Sequence, residues 1–166
     1  MTYVEILVTM VIMSILAGTI MMGLTGYKER AERIGCSNNL RLLHVALTTY
    51  THDVGHWPQR PKDSNGNNKF EKGHEIFGWL IGELAEYDAP RTAWICPTEK
   101  RLETQHIAEK EFIGSYVPTM FDRGPNTPWK WPKQPWLIER ADNHGKGQLV
   151  ILQDGSVHNA NESFLH

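Results

Sequence analysis

Hydropathy divides the chain before any motif is read. From Ile6 to Tyr27 no charged residue interrupts, a run of about 22 positions and enough for a helix to cross a bilayer. One carboxylate, Glu5, stands at the edge of this run. An acid beside hydrocarbon is costly unless paired or neutral, so Glu5 needs a partner. From Ala31 the pattern changes. Cys36, Leu40, Leu43, Leu47, Tyr50 and Val54 recur at alternating spacings of four and three, one apolar face of an amphipathic helix. No proline occurs between Met1 and Val54, so both stretches are expected to form one continuous helix of about 53 residues, roughly 80 Å long, closed by Gly55 and then Trp57-Pro58. Gly18, Gly23 and Gly26 are its weak points, or positions where a neighbouring helix packs closely.

Beyond the helix the chain is polar and punctuated. "QRPKDSNGNNKFEKG" is a loop with turn chemistry at Asn65-Gly66. Ile76, Phe77, Leu80, Ile81 and Leu84 predict a second helix over His74–Tyr87, closed by Pro90. "TAWICP" reads as a short extended piece placing Cys96 against the core, and Glu99–Lys110 as a short exposed helix. "FIGSYVP" and "PWLIER" read as strands. The prolines of "DRGPNTPWKWPKQP" between them forbid regular pairing and make it a loop. "GQLVILQDGSVHNA" predicts a hairpin around a two-residue Asp154-Gly155 turn. The sum is an α+β arrangement: a long N-terminal helix, apolar then amphipathic, on an antiparallel sheet of three or four strands. Residues 1–27 form the apolar stalk. Residues 28–166 form the head, which includes the amphipathic helical half, 28–54.

Composition refines this picture in three ways. The net charge of −2 and pI near 6.4 supply no basic field for nucleic acid. The mean hydropathy of −0.42 averages a greasy stalk with a polar head. The opening is not a secretory signal: no Lys or Arg precedes the apolar run, the run is too long, and no small-residue cleavage site ends it. Lys28 and Arg30 lie on the head side, so an exported head obeys the positive-inside rule only if a basic leader was removed upstream of Met1; the alternative is a cytoplasmic head. Two cysteines without C-x-x-C are too sparse for a zinc site. In an exported head they suggest one Cys36–Cys96 disulfide, with two free thiols as the alternative.

Candidate chemistry is thin. His52-Asp53 with His56 has metal-like spacing, but Gly55 ends the helix there and no third ligand follows. His144, Asp154 and His158 can be drawn as a site. The favoured reading is structural, with Asp154 bonding within its own turn and His144 bracing the loop before the strand. The tryptophans of "WKWPKQPW" suit packing of a long loop on a small core better than an adhesive surface. No nucleophile elbow or phosphate loop is present, and "GSY" lacks the second glycine of the hydrolase motif, so no catalytic role is expected.

One resemblance ties the ends together. "MTYVEILVTMVIMSILAGTI", with Thr2, Glu5, Leu7 and Val8 in pattern, resembles the opening of the type IV pilin superfamily, which includes the pseudopilins of type II secretion. His144, nine residues, then Asp154-Gly155 resembles the H-x9-DG signature of a bacterial pilin-like subgroup, as do "CSNNLRLLHVALTTYTHDVGHWP" and "WICPTEK". The usual first Phe is Met1 here, and the proline common in the apolar helix of surface pilins is missing.

The resemblance implies a structural filament subunit, not an enzyme. A prepilin peptidase would cut a basic leader and leave a free, N-methylated Met1 amine. Glu5 of one subunit would pair with that amine of a neighbour as identical subunits assemble. The stalk would anchor the chain in the inner membrane before assembly machinery draws it into an extracellular filament, or a periplasmic one for a pseudopilin. No cofactor is required. Some pseudopilin heads order C-terminal loops with calcium, for which Asp142, Asn143 and Asp154 would be the oxygen donors here.

Overall fold

The computed structural model describes residues 2–70, 72–102, 114–124 and 126–163, the side chains at 20–25, 100–102 and 162–163 excepted. Its dominant element is a helix, α1, over Tyr3–Val54, 52 residues and so roughly 80 Å of unbroken α-helix. The glycines do not interrupt it: a Cβ at Gly18 or Gly26 would meet nothing within 4 Å. Gly55 ends it in the left-handed region at φ 80°, its N–H bonded to Thr51 O at 3.0 Å.

The two halves of α1 live in different environments. Residues 3–19 are exposed around the whole circumference, whereas Cys36, Leu40, Leu43, Ala46, Leu47 and Tyr50 are buried under the head. Val54 does not belong to that buried stripe. It lies at the last turn and is exposed, and Thr51 is the last residue of α1 to be buried. Burying five or six such side chains at about 1.5–3 kcal/mol each is what holds the helix to the head.

The sheet is a four-stranded antiparallel meander, β1 (Tyr116–Pro118), β2 (Leu137–Glu139), β3 (Leu149–Ile151) and β4 (Val157–Asn159), in chain order. Tyr116 faces Glu139, Leu137 faces Ile151 and Val150 faces His158. Helix α1 covers the sheet at β3 and β4. Helix α2 (Gly73–Ala85) adds Ile76, Leu80 and Leu84 to the core. Three tryptophans complete it: Trp57 meets Trp136 edge-on at 4.9 Å and Phe121 at 5.0 Å, and Trp94 is fully buried.

Four local expectations are corrected. "TAWICP" begins as a 3₁₀ turn over Arg91–Trp94 rather than an extended piece, because Pro90 accepts from Ala93 N at 2.9 Å and the turn swings Trp94 inward. The loop before β2 contains a one-turn helix, α4, over Thr127–Lys130, since proline is tolerated at the first positions of a helix although it forbids a strand there. The helix expected over Glu99–Lys110 starts earlier, as α3 over Pro97–Leu102, and Glu99 is buried against Arg140 at 2.5 Å; residues 103–110 lie outside the described residues. The β3–β4 connection is five residues long, 152–156, rather than a two-residue turn, with Leu152 N donating to Ser156 O at 3.1 Å and Gly155 in the left-handed region at φ 78°.

Candidate functional site

Among the described residues, two places stand out for their chemistry. The first is the N-terminal end of α1. Tyr3 (79% exposed), Val4, Leu7, Val8, Met10, Val11, Met13 and Ile15 present apolar surface on every side of the helix, far more than the scattered single residues a soluble surface tolerates. Thr9, Ser14 and Thr19 fold their hydroxyls back onto carbonyls three or four residues earlier, so the polar atoms of this stretch are satisfied along the helix. Glu5 accepts from Thr2 N at 2.9 Å, the side-chain half of a helix N-cap. Within a single chain, then, Glu5 closes the end of its own helix. The Met1 amine lies outside the described residues. Among the described residues no helix is long and apolar enough to cross a membrane.

The second place is inside the head. Cys36 of α1 and Cys96, just before α3, form a disulfide with Cα atoms 5.2 Å apart, and both are fully buried. Against it lie Glu139, the last residue of β2 and fully buried, and His144 from the β2–β3 loop, nearly so. His144 Nε2 is 3.5 Å from Cys96 Sγ and 3.4 Å from Glu139 Oε1. The other ring nitrogen, Nδ1, is 3.3 Å from Thr98 Oγ1, and that hydroxyl donates to Glu32 Oε2 at 3.1 Å.

This chain of bonds sets the tautomer. Thr98 has one proton and gives it to Glu32, so it can only accept from His144. Nδ1 of the neutral ring therefore carries the hydrogen, and Nε2 turns a lone pair toward Glu139 and the sulfur. Glu139 Oε2 accepts from Leu149 N at 3.1 Å, but Oε1 has no hydrogen-bond partner. Two acceptors facing each other across 3.4 Å need a hydrogen or a cation between them. Burial pushes the Glu139 carboxyl up to about 7, with the Leu149 N–H, the Asn143 side chain and the Arg33 charge pulling the other way. Burial, and then Arg33, lower His144. In the disulfide form near neutrality a proton on Glu139 fills the gap.

The remaining candidates separate. Asp142 accepts from Gly147 N at 2.9 Å and Lys146 N at 3.2 Å, and Asp154 from Ser156 N at 2.9 Å and Ser156 Oγ at 2.6 Å; these bonds hold both carboxyls below the usual range. Each acid thus closes its own turn, and neither belongs to the cluster of ligand-type groups that the described residues form. Asn143 is half-buried beside them, its side chain turned to the Glu139 carboxyl. His158 bonds Ser156 Oγ at 2.8 Å, His56 donates to Trp57 O at 2.9 Å, and His52 stacks loosely on Trp129 at 5.9 Å. Trp136 is core and Trp129 packs on it at 5.7 Å, leaving Trp131 exposed.

The H-x9-DG spacing acquires a geometric meaning here. His144 meets α1 at the Cys36 disulfide, and Gly155 meets it at His44, where an added Cβ would lie 3.6 Å from the ring. His44 Nε2 also bonds Gln153 O at 2.9 Å. The two contacts are eight residues, about 12 Å, apart along the helix, and β3 runs between them.

Glu139 is the member that sequence reasoning passed over. Its signal was the period-two alternation of "PWLIER", which puts Glu139 in phase with Leu137 on the buried face. Glu32, Arg33 and Thr98 carried no comparable signal. No family model, curated protein or solved structure matches this chain.

Proposed function

We propose that this protein is the structural subunit of a type IV pilus-like filament, not an enzyme. The observation that carries the reading is the N-terminal arm of α1, apolar on all sides over residues 3–19 and bearing one carboxylate, Glu5, at its tip. A helix of this kind has no stable state as a bare rod in water; lipid or other copies of itself must cover it. Copies stacked with an axial shift make a heterologous contact that does not close, which is what builds a fibre. The stalk rests in the inner membrane before assembly, after a prepilin peptidase has freed the Met1 amine, and forms the fibre core afterwards.

In that core Glu5 exchanges its own Thr2 N–H for the amine of the neighbouring subunit. The exchange is favourable because a carboxylate and an ammonium in hydrocarbon each lose little by meeting and much by standing alone. The pair fixes register, while the surrounding apolar side chains supply cohesion. The reading rests on the resemblance of the opening residues together with this exposed arm.

The test uses material sheared from intact cells, followed by electron microscopy and mass spectrometry. Fibres of this chain that begin at a methylated Met1 are expected. Glu5→Ala is expected to abolish them while leaving the chain in the membrane fraction. Short periplasmic assemblies whose loss blocks protein secretion would identify a pseudopilin instead. An unprocessed chain found only in membranes, indifferent to Glu5→Ala, would identify a singly anchored head and overturn the filament reading.

A further inference from the structure

The buried cluster in the head has the composition and the spacing of a metal centre. Cys36 Sγ, Cys96 Sγ, a Glu139 oxygen and a His144 nitrogen all lie within 4.8 Å of one another. They come from four separate segments: α1, the turn before α3, the end of β2 and the β2–β3 loop. A tetrahedral zinc with bonds of about 2.3 Å to sulfur and about 2.0–2.2 Å to nitrogen and oxygen requires N···O edges of about 3.4 Å and N···S edges of about 3.6 Å. The observed His144–Glu139 and His144–Cys96 separations are 3.4 and 3.5 Å.

The geometry points to a structural zinc site at Cys36, Cys96, Glu139 and His144 in the thiol form of this chain, mutually exclusive with the disulfide.

Four features argue for it. His144 Nε2 and Glu139 Oε1 already converge at 3.4 Å. The outer ring nitrogen, Nδ1, is held by Thr98, itself held by Glu32, the second layer that metal-binding histidines need to keep their orientation. Two thiolates, one carboxylate and a divalent cation sum to one negative charge. The half-buried Arg33 guanidinium, whose Nη2 donates to Asn159 Oδ1 and whose charge acts on both Glu139 and His144, is placed to balance it. The ligand types also choose the metal: two soft sulfurs with an imidazole suit zinc and reject calcium or magnesium.

Interconversion balances simply. A dithiol reductant gives two electrons and two protons to the Cys36–Cys96 bond and becomes its own disulfide; zinc then displaces both thiol protons and the proton on Glu139, and the sulfurs part to about 3.8 Å. Because both sulfurs are buried, the choice between bridge and metal is made as the chain folds rather than in the finished head. Either form joins α1 to the segment before α3. The metal form also ties in the sheet.

The experiment uses the full chain in detergent, unfolded and reduced with a phosphine under argon, then refolded with or without one equivalent of cobalt(II) or zinc. One cobalt per chain is expected, with thiolate-to-cobalt charge transfer and tetrahedral d–d bands, both abolished by zinc. The oxidised chain is expected to show neither. Glu139→Gln and His144→Ala are each expected to weaken binding at least ~10-fold, as loss of one ligand of four should. Should the reduced chain fold only with zinc, the site is a folding centre and the inference stands. If no thiolate–cobalt band forms, or if both variants bind as tightly as the parent, the cysteines act as a chance dithiol, only a proton fills the gap and the inference falls.

Discussion

Glu139 shows how one buried side chain can dominate a local pH response. Its carboxyl is raised from 4.5 to about 7 in the folded disulfide form, chiefly by burial. The folded state therefore holds this proton more tightly than the unfolded chain. The associated stability is fully present below pH about 4.5 and is lost as pH rises through about 7, a change of roughly 3 kcal/mol at most. His144, which faces it, has a lowered value and works in the opposite sense: its contribution is present above about 6.5 and is lost as pH falls. Arg33 and Asp142 also act on Glu139, with opposite signs. Denaturant melts of the oxidised parent and of Glu139→Gln should thus diverge, with the variant gaining relative stability from about pH 5 to about pH 8. A pH-independent difference would show that Glu139 does not titrate in that window.

At the scale of elements, α1 is one helix with two different supports. Its lower half is held by tertiary burial, its upper half only by propensity and by whatever covers it. Within the half held by the head, the adjacent Leu42 and Leu43 lie on opposite faces of the helix. Leu43 is fully buried and Leu42 is exposed. Leu43→Ala should cost about 2–5 kcal/mol, whereas Leu42→Ala should stay within about 0.5 kcal/mol, both read from thermal or denaturant unfolding. Equal effects would mean that the helix is rotated from the orientation described. The short elements follow a different logic. Strands of three residues are weak alone, and the aromatic cluster of Trp57, Phe121 and Trp136 and the covering helix keep them in register.

For the whole molecule, the principal cross-link is the bond joining α1 to the segment before α3. It closes a loop across a sequence separation of 60 residues, so in the chain-entropy description it stabilises the head by about 4 kcal/mol. Reduction in the presence of a chelator should lower the unfolding free energy by that order, a large share of what a head of this size commands. A reduced, metal-free head as stable as the oxidised one would show that helix packing alone suffices. The arm and the head are therefore stabilised by unlike means, a covering environment for one and a buried staple for the other.

The sequence by itself determined the long helix, its end at Gly55, the α2 stripe and the C-terminal hairpin, because each is written in local periodicity or in a turn residue with a left-handed requirement. It also isolated Glu5, whose peculiarity lies in its flanking residues rather than in any fold. Only the tertiary structure decided the partners. Glu139, His144, Cys36 and Cys96 come from four segments spread over more than a hundred residues, and no spacing rule connects them. Two cysteines alone are too sparse for a zinc site, and only the fold sets a carboxylate and an imidazole beside them. The 3₁₀ turn at Arg91–Trp94 and the helical turn at Thr127–Lys130 escaped for a related reason: each exists because a tryptophan beside it finds room in a core assembled by distant elements.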